Sequence, residues 1–271
     1  MSEWLSVHRG DGPLIVSIPH AGAQIPAEIE AQMASPWIAR ADADWYVNYL
    51  YSFAHELGAT VIATSISRSV IDVNRDPSGK SLYPGQATTG LCPTTTFDGT
   101  RLYRGSEPDA AEIAARRAAF FEPYHAAIAS EIARLREVHP RIVLYDAHSI
   151  RSRVPRLFDG PLPVFNIGTN SGASCDPRLT AMVEAMCKSG GWPTVVDGRF
   201  KGGWITRHHG RPADGVHAIQ MELAMRAYLR EPAEIGEGNW PPPYVEEVAV
   251  LIRPSLANVL RRCLAFAMEI P

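Results

Sequence analysis

The chain predicts an α/β fold with a central, largely parallel sheet flanked by helices. The first observation behind this is a series of β-branched and aliphatic runs, "LIVSIP", "ATVIATSIS", "RIVLYDAHS", "LPVFNIGT" and "GVHAIQMEL", each bounded by turn formers. The second is that stretches of helical apolar spacing lie between several of them, the alternation that builds a parallel sheet covered on both faces. The third is size: 271 residues at 46% hydrophobic content can bury a core of that kind. There is no internal repeat and no low-complexity tract, so residues 1–271 read as a single domain.

The first strand, "LIVSIP", runs straight into "HAG", which places His20 on the first loop residue after a buried strand. "DWYVNYLYSFAHELG" has helical spacing and ends on Gly58, a residue free to take the left-handed conformation that closes a helix. In "SEPDAAEIAARRAAFFEPYHAAIASEIARLREV", Ser106 stands three residues before Asp109, like the start of a capping box. Ile113, Phe120, Tyr124, Ile128, Ile132 and Leu135 then share one helical face, and Pro123 predicts a kink or a break. The proline-rich stretch Asn239–Glu247 reads as a linker, and "PSLANVLRRCLAFAMEI" as a terminal amphipathic helix. The turn-rich segments Asn74–Gly105 and Pro193–Gly215 exceed ordinary loop lengths, which points to function or mobility.

With 26 basic and 29 acidic residues, the net charge of −3 gives no basic surface for nucleic acid or anionic lipid. No apolar run reaches the roughly 18 residues a transmembrane helix needs. "MSEWLSVHRGDG" lacks the regions of a signal peptide, so a cytoplasmic location is expected. Cys92, Cys175, Cys187 and Cys263 form no C-x-x-C pair and read as reduced thiols, so a metal here must be held by nitrogen and oxygen. "SGKS" lacks the upstream glycine of a phosphate-binding loop, and "GTNSGAS" does not match G-x-S-x-G; both read as turns.

The residues that suggest chemistry sit where strands end. His20 follows the first strand, His148 closes "LYDAHS" with Asp146 two residues before it, and Asp42 and Asp44 lie at the mouth of the next helix. Ligands of open α/β sheets bind at the carboxyl ends of strands. Two histidines and one carboxylate meeting there would make a three-ligand site with an open position, as in catalytic zinc. Either aspartate also suits a helix N-cap, and either histidine suits a loop bonded to backbone. Glu222 leaves another apolar strand, where a carboxylate is costly unless it faces a cleft, and it could serve as a general base; it also suits a helix start. Arg68, Asn74 and Arg75, with Arg207 and Arg211, crowd the long loops and suit an anionic small molecule.

"SIPHAG", "DADW", "SRSVIDVNRDP", "LYDAHSI", "GGWITRHHG" and "HAIQMELAM", in this order, resemble the motif series of the N-formylglutamate amidohydrolase (deformylase) family. The resemblance runs from Leu14 to about Tyr228. That family is distantly related to zinc carboxypeptidases and aspartoacylase-like deacylases. The resemblance implies a three-layer phosphorylase/hydrolase-like fold with a mixed, largely parallel sheet. It implies one divalent ion, zinc before others, on His20, Asp44 and His148, with Asp44 rather than Asp42 in the family's acidic position. It further implies Glu222 as general base, Arg68 polarising the carbonyl, Asn74 and Arg75 gripping a carboxylate, and Tyr83, Thr206 and Arg207 as further substrate contacts. The implied reaction is hydrolysis of N-formyl-L-glutamate to formate and L-glutamate, the last step of one route of histidine degradation. The alternatives are a hydrolase of another N-acyl amino acid or short peptide, and a non-catalytic metal- or ligand-binding protein.

Overall fold

A computed structural model describes residues 4–269. Its strands are β1 (Leu5–His8), β2 (Leu14–Ile18), β3 (Thr60–Thr64), β4 (Ile142–Ile150), β5 (Phe165–Gly168), β6 (Thr194–Val196) and β7 (Val216–Ala224). Its α-helices are α1 (Ala27–Glu30), α2 (Val47–Leu50), α3 (Ala110–Arg116), α4 (Glu122–Arg136), α5 (Pro177–Ser189), α6 (Trp204–His209) and α7 (Glu246–Met268). The strands form one mixed sheet in the order β1-β3-β2-β4-β7-β5-β6. The core β3-β2-β4-β7 is parallel, while β1 joins β3 and β5 joins β7 antiparallel. This is the expected α/β class. The short edge strands β1 and β6 carry little apolar signal of their own, and periodicity alone does not mark them.

β2, β4 and β7 are buried along their whole length because helices cover both faces. On one face Leu14, Val16, Val143, Tyr145, Ile219 and Met221 pack with α5 and α7. On the other, Ile15, Ile62, Ile142 and Leu144 pack against Tyr124, Ile128, Ile132 and Leu135 of α4. That second face changes character along the strand. Ile142 and Leu144 are followed at the same alternating positions by Asp146 and His148, and Val216 and Ala218 by Gln220 and Glu222. Side chains two apart share a sheet face, so both strands pass from apolar beneath the helices to polar at their carboxyl ends. The four cysteines are free and buried. Among the described residues, no helix is long and apolar enough to cross a membrane.

Several helical expectations need correction. "DWYVNYLYSFAHELG" is not one helix: α2 covers four residues and a 3₁₀ segment, Ser52–Leu57, follows, closing on left-handed Gly58 as expected. Neither Asp42 nor Asp44 caps α2, whose N-cap position is Tyr46 without a side-chain bond. The cap of α3 is Asp109, which accepts from the Glu112 N–H, and not Ser106. Pro123 does not split the helix: the backbone stays helical from Ala110 to Arg136, and the five residues Arg117–Phe121 widen into a π turn that accommodates the missing N–H. α7 starts at Glu246 and carries Pro254 inside it, because Ala249, Ile252, Leu256 and Val259 bury one continuous stripe across the proline. The segment Pro193–Gly215 contains β6 and α6 and so is only partly loop.

Asp109→Ala should cost about 0.5–2 kcal/mol in chemical unfolding, the usual worth of an N-cap, while Ser106→Ala should be near neutral. The reverse ranking would return the cap to Ser106.

Candidate metal centre and cleft

His20 and His148 meet at the carboxyl edge of the sheet from neighbouring strands β2 and β4. His20 Nδ1 lies 3.1 Å from His148 Nδ1. Asp44 Oδ2 lies 3.2 Å from His148 Nδ1 and 3.8 Å from His20 Nδ1. All three side chains are buried. The far side of each imidazole meets a carboxylate: Asp72 Oδ1 is 2.8 Å from His20 Nε2, and Asp146 Oδ2 is 2.9 Å from His148 Nε2. A carboxylate only accepts, so each Nε2 is placed to carry its ring's proton, and in the neutral rings this leaves the Nδ1 lone pairs facing inward. Three acceptors then face one another. At zinc–ligand bonds of about 2.0–2.1 Å, tetrahedral ligands stand roughly 3.3 Å apart, so the triangle has the size a small divalent cation requires.

The surrounding charges point the same way. Burial works against a charged His148, but the Asp146 and Asp44 carboxylates outweigh it and hold the ring well above the ordinary histidine range. Burial and the Arg68 charge push His20 down. The cluster thus draws in a positive charge, as a proton on His148 when nothing else supplies it. Arg68 braces the ligands from outside, with Nη2 2.6 Å from Asp72 Oδ2 and Nη1 3.4 Å from Asp44 Oδ1. The Ser149 N–H donates to Asp44 Oδ2 at 3.1 Å. Asp42 takes no part. Its Oδ2 accepts from the Phe97 N–H at 2.6 Å, and burial pushes its pKa up to about 6.

Beside this cluster lies a narrow cleft lined among others by Arg68, Arg75, Tyr83, Phe97, Arg199 and Glu222. Glu222 pairs in register with His148 across β4 and β7, so the two side chains stand side by side on one face. Burial pushes its pKa up to about 8. That is suited to taking and returning a proton near neutrality.

The structure places the other expected residues unequally. Arg68, Asn74, Arg75 and Tyr83 line the cleft. The carboxamide of Asn74 is already engaged: Nδ2 donates to Asp146 at 3.2 Å and to Gln220 at 3.3 Å, and Oδ1 accepts from the Ile205 N–H at 2.8 Å. Asn74 therefore ties α6 to the Asp146 carboxylate. Gly203 is needed for that tie, since a Cβ there would stand 2.4 Å from the Asn74 carboxamide. Thr206 and Arg207 do not line the cleft. Thr206 is wholly buried in α6, and Arg207 Nε donates to Gly202 O at 3.0 Å with its guanidinium over Tyr83. Tyr83 OH also donates to Gly202 O, at 2.9 Å. The histidines His208, His209 and His217 lie elsewhere: His208 stacks on Trp204, His209 bonds His125, and His217 accepts from the Asp176 N–H.

Sequence reasoning missed Asp72, Gln220 and Arg199. Asp72 had a signal, an acid inside the apolar run "VIDV", which is costly to bury without a partner. Gln220 had one too, a polar residue two before Glu222 on an otherwise apolar strand.

The molecule is thus an α/β protein whose mixed sheet sets a buried His/Asp/His triangle, able to hold a metal ion, beside an arginine-lined cleft. The chain belongs to the N-formylglutamate amidohydrolase family, whose sequence signature matches residues 12–229. It is similar to the N-formylglutamate deformylase of Pseudomonas aeruginosa, 46% identical over 271 residues that span 99% of both chains. The N-formylglutamate deformylase of Pseudomonas putida is 42% identical over 271 residues, 99% of this chain and 98% of the relative. The fold matches the crystal structure of N-formylglutamate amidohydrolase from Ralstonia eutropha JMP134 at a TM-score of 0.79 and 24% identity, covering 97% of this chain and 98% of that one. It also matches an Agrobacterium tumefaciens gene product at 0.73 and 18%, covering 99% and 97%.

If the triangle holds the cation, Asp44→Asn and His148→Ala should each lower bound zinc well below one ion per chain by elemental analysis, and Asp42→Asn should not. Loss of metal in Asp42→Asn alone would move the ligand to Asp42.

Proposed function

We propose that the protein hydrolyses N-formyl-L-glutamate to formate and L-glutamate, as in the route of histidine degradation that ends there. The observation that carries the reading is the triangle of inward-facing acceptors on His20, Asp44 and His148 beside Glu222. The names of the relatives 46% and 42% identical to this chain support the substrate. The two-nitrogen, one-oxygen ligand set suits zinc. A divalent cation held there supplies Lewis-acid activation of water and of the formyl carbonyl.

The chain's own groups supply the rest. Glu222, beside His148, accepts a proton from the attacking water. It then delivers that proton to the amide nitrogen as the C–N bond breaks, so that formate and the amine of glutamate leave. Its place in register with His148 suits it to both halves of this exchange. Arg68, held by Asp72 and Asp44 with its guanidinium 4.7 Å from the Phe97 ring centroid, faces the cleft where the carbonyl oxygen gains charge. Arg75 is fixed by Thr89, to which Nε and Nη2 donate at 2.9 and 3.1 Å. Nη1 is taken up by Asn74 O and Asp72, which leaves the second Nη2–H for a substrate carboxylate, a charged hydrogen bond that contributes about 1.5–3 kcal/mol. Asn74 acts here through Asp146 and α6, holding His148 and the cleft wall in place.

Two outcomes test this. Chelation should abolish hydrolysis of N-formylglutamate and added zinc should restore it. Glu222→Gln should lower kcat by about 10²–10⁴-fold while metal content and Tm change little. Near-normal kcat in a fully metallated Glu222→Gln protein would remove Glu222 from the proton path.

A further inference from the structure

We infer that Arg199 selects an acidic side chain on the amino-acid half of the substrate, an assignment that rests on reading the cleft as an N-acyl amino acid site. Three arginines line the cleft, and two have carboxylate neighbours in the protein. Arg68 pairs with Asp72 and Asp44, and Arg75 Nη1 stands 3.5 Å from Asp72 Oδ2. Arg199 has no carboxylate oxygen within 4.0 Å among the described residues. Backbone fixes it instead: Nε donates to Leu157 O at 2.8 Å and Nη2 to Ala87 O at 2.6 Å. Its guanidinium lies 5.5 Å from the Tyr83 ring centroid and 5.3 Å from that of Phe200. Nη1 makes no bond to the described protein. A rigid, half-buried cation beside aromatic rings and short of a counter-charge is a built receptor for an anion.

The geometry also says which anion. Arg75 and Arg199 hang on one segment, at Thr89 and Ala87, so their charges share one cleft. Arg75 is linked through Asp72 to His20, next to the reacting centre. Arg199 is held by Leu157 and Ala87 and makes no hydrogen bond to His20, Asp44, His148 or the carboxylates behind them. The α-carboxylate of an N-acyl amino acid lies two bonds from the amide nitrogen and so belongs to Arg75. A glutamate side-chain carboxylate lies four bonds away and reaches the outer cation, Arg199.

The test compares N-formylglutamate with N-formylglutamine, which differ only in the distal charge, in wild type, Arg199→Met and Arg199→Lys. In wild type kcat/KM should favour the glutamate substrate. In Arg199→Met that preference should shrink by about 10- to 100-fold, through KM, and Arg199→Lys should keep part of it. An unchanged preference, or equal losses on both substrates, overturns the assignment. Should wild type hydrolyse neither, the proposed reaction fails on its own. Arg199 is then judged by calorimetric binding of glutarate against butyrate to the zinc-loaded protein. Weaker glutarate binding in Arg199→Met upholds its role, and equal binding overturns it.

Discussion

His20 and His148 each set Nε2 against a buried carboxylate, and this turns their Nδ1 atoms toward each other across 3.1 Å. With Asp44 Oδ2 completing the triangle, three electron-rich atoms converge in a site sheltered from water. Such an arrangement is electrostatically unfavourable until a positive charge fills it. Asp44, Asp72 and Asp146 surround it, and the two guanidiniums beside them, Arg68 and Arg75, leave positive charge in deficit. Much of the remaining architecture serves to hold these repelling groups in place.

The sheet does this by register. His148 and Glu222 are direct partners in the β4–β7 ladder, as are Asp146 and Gln220, so these four polar groups stand in two adjacent rows on one face. Beneath α4 the same rows are Ile142, Leu144, Val216 and Ala218, which anchor the strands in the core. The α6 turn closes the back wall through Asn74 and Gln220, and Gly203 lets the chain pass close enough for both bonds. The carboxyl ends of the strands carry the polar groups of the cluster, while their apolar halves anchor them in the core.

Much of this was legible in the residues. Long buried strands announce themselves through continuous β-branched runs, and β2, β4 and β7 fall where "LIVSIP", "RIVLYDAHS" and "GVHAIQMEL" stand. The strand-end histidines and Glu222 were visible for the same reason, as polar residues interrupting apolar runs. Choosing Asp44 over Asp42 came from the family resemblance; the residues alone left both open, because two acids one residue apart have the same local pattern. Tertiary contacts separate them, sending Asp42 to the Phe97 N–H and Asp44 to His148. The same limit explains Thr206 and Arg207, whose motif is real but whose side chains serve α6 and Tyr83 rather than the cleft. Arg199 had no signal, since an arginine short of a partner is recognisable only once its neighbours are known.

The most direct test of the account is anomalous diffraction at the zinc edge on crystals of the zinc-loaded protein. The account predicts one peak per chain, about 2.0–2.2 Å from Nδ1 of His20, Nδ1 of His148 and a carboxylate oxygen of Asp44, with both Nε2 atoms still bonded to Asp72 and Asp146. A peak bound through Nε2, or zinc held away from this triangle, would contradict it.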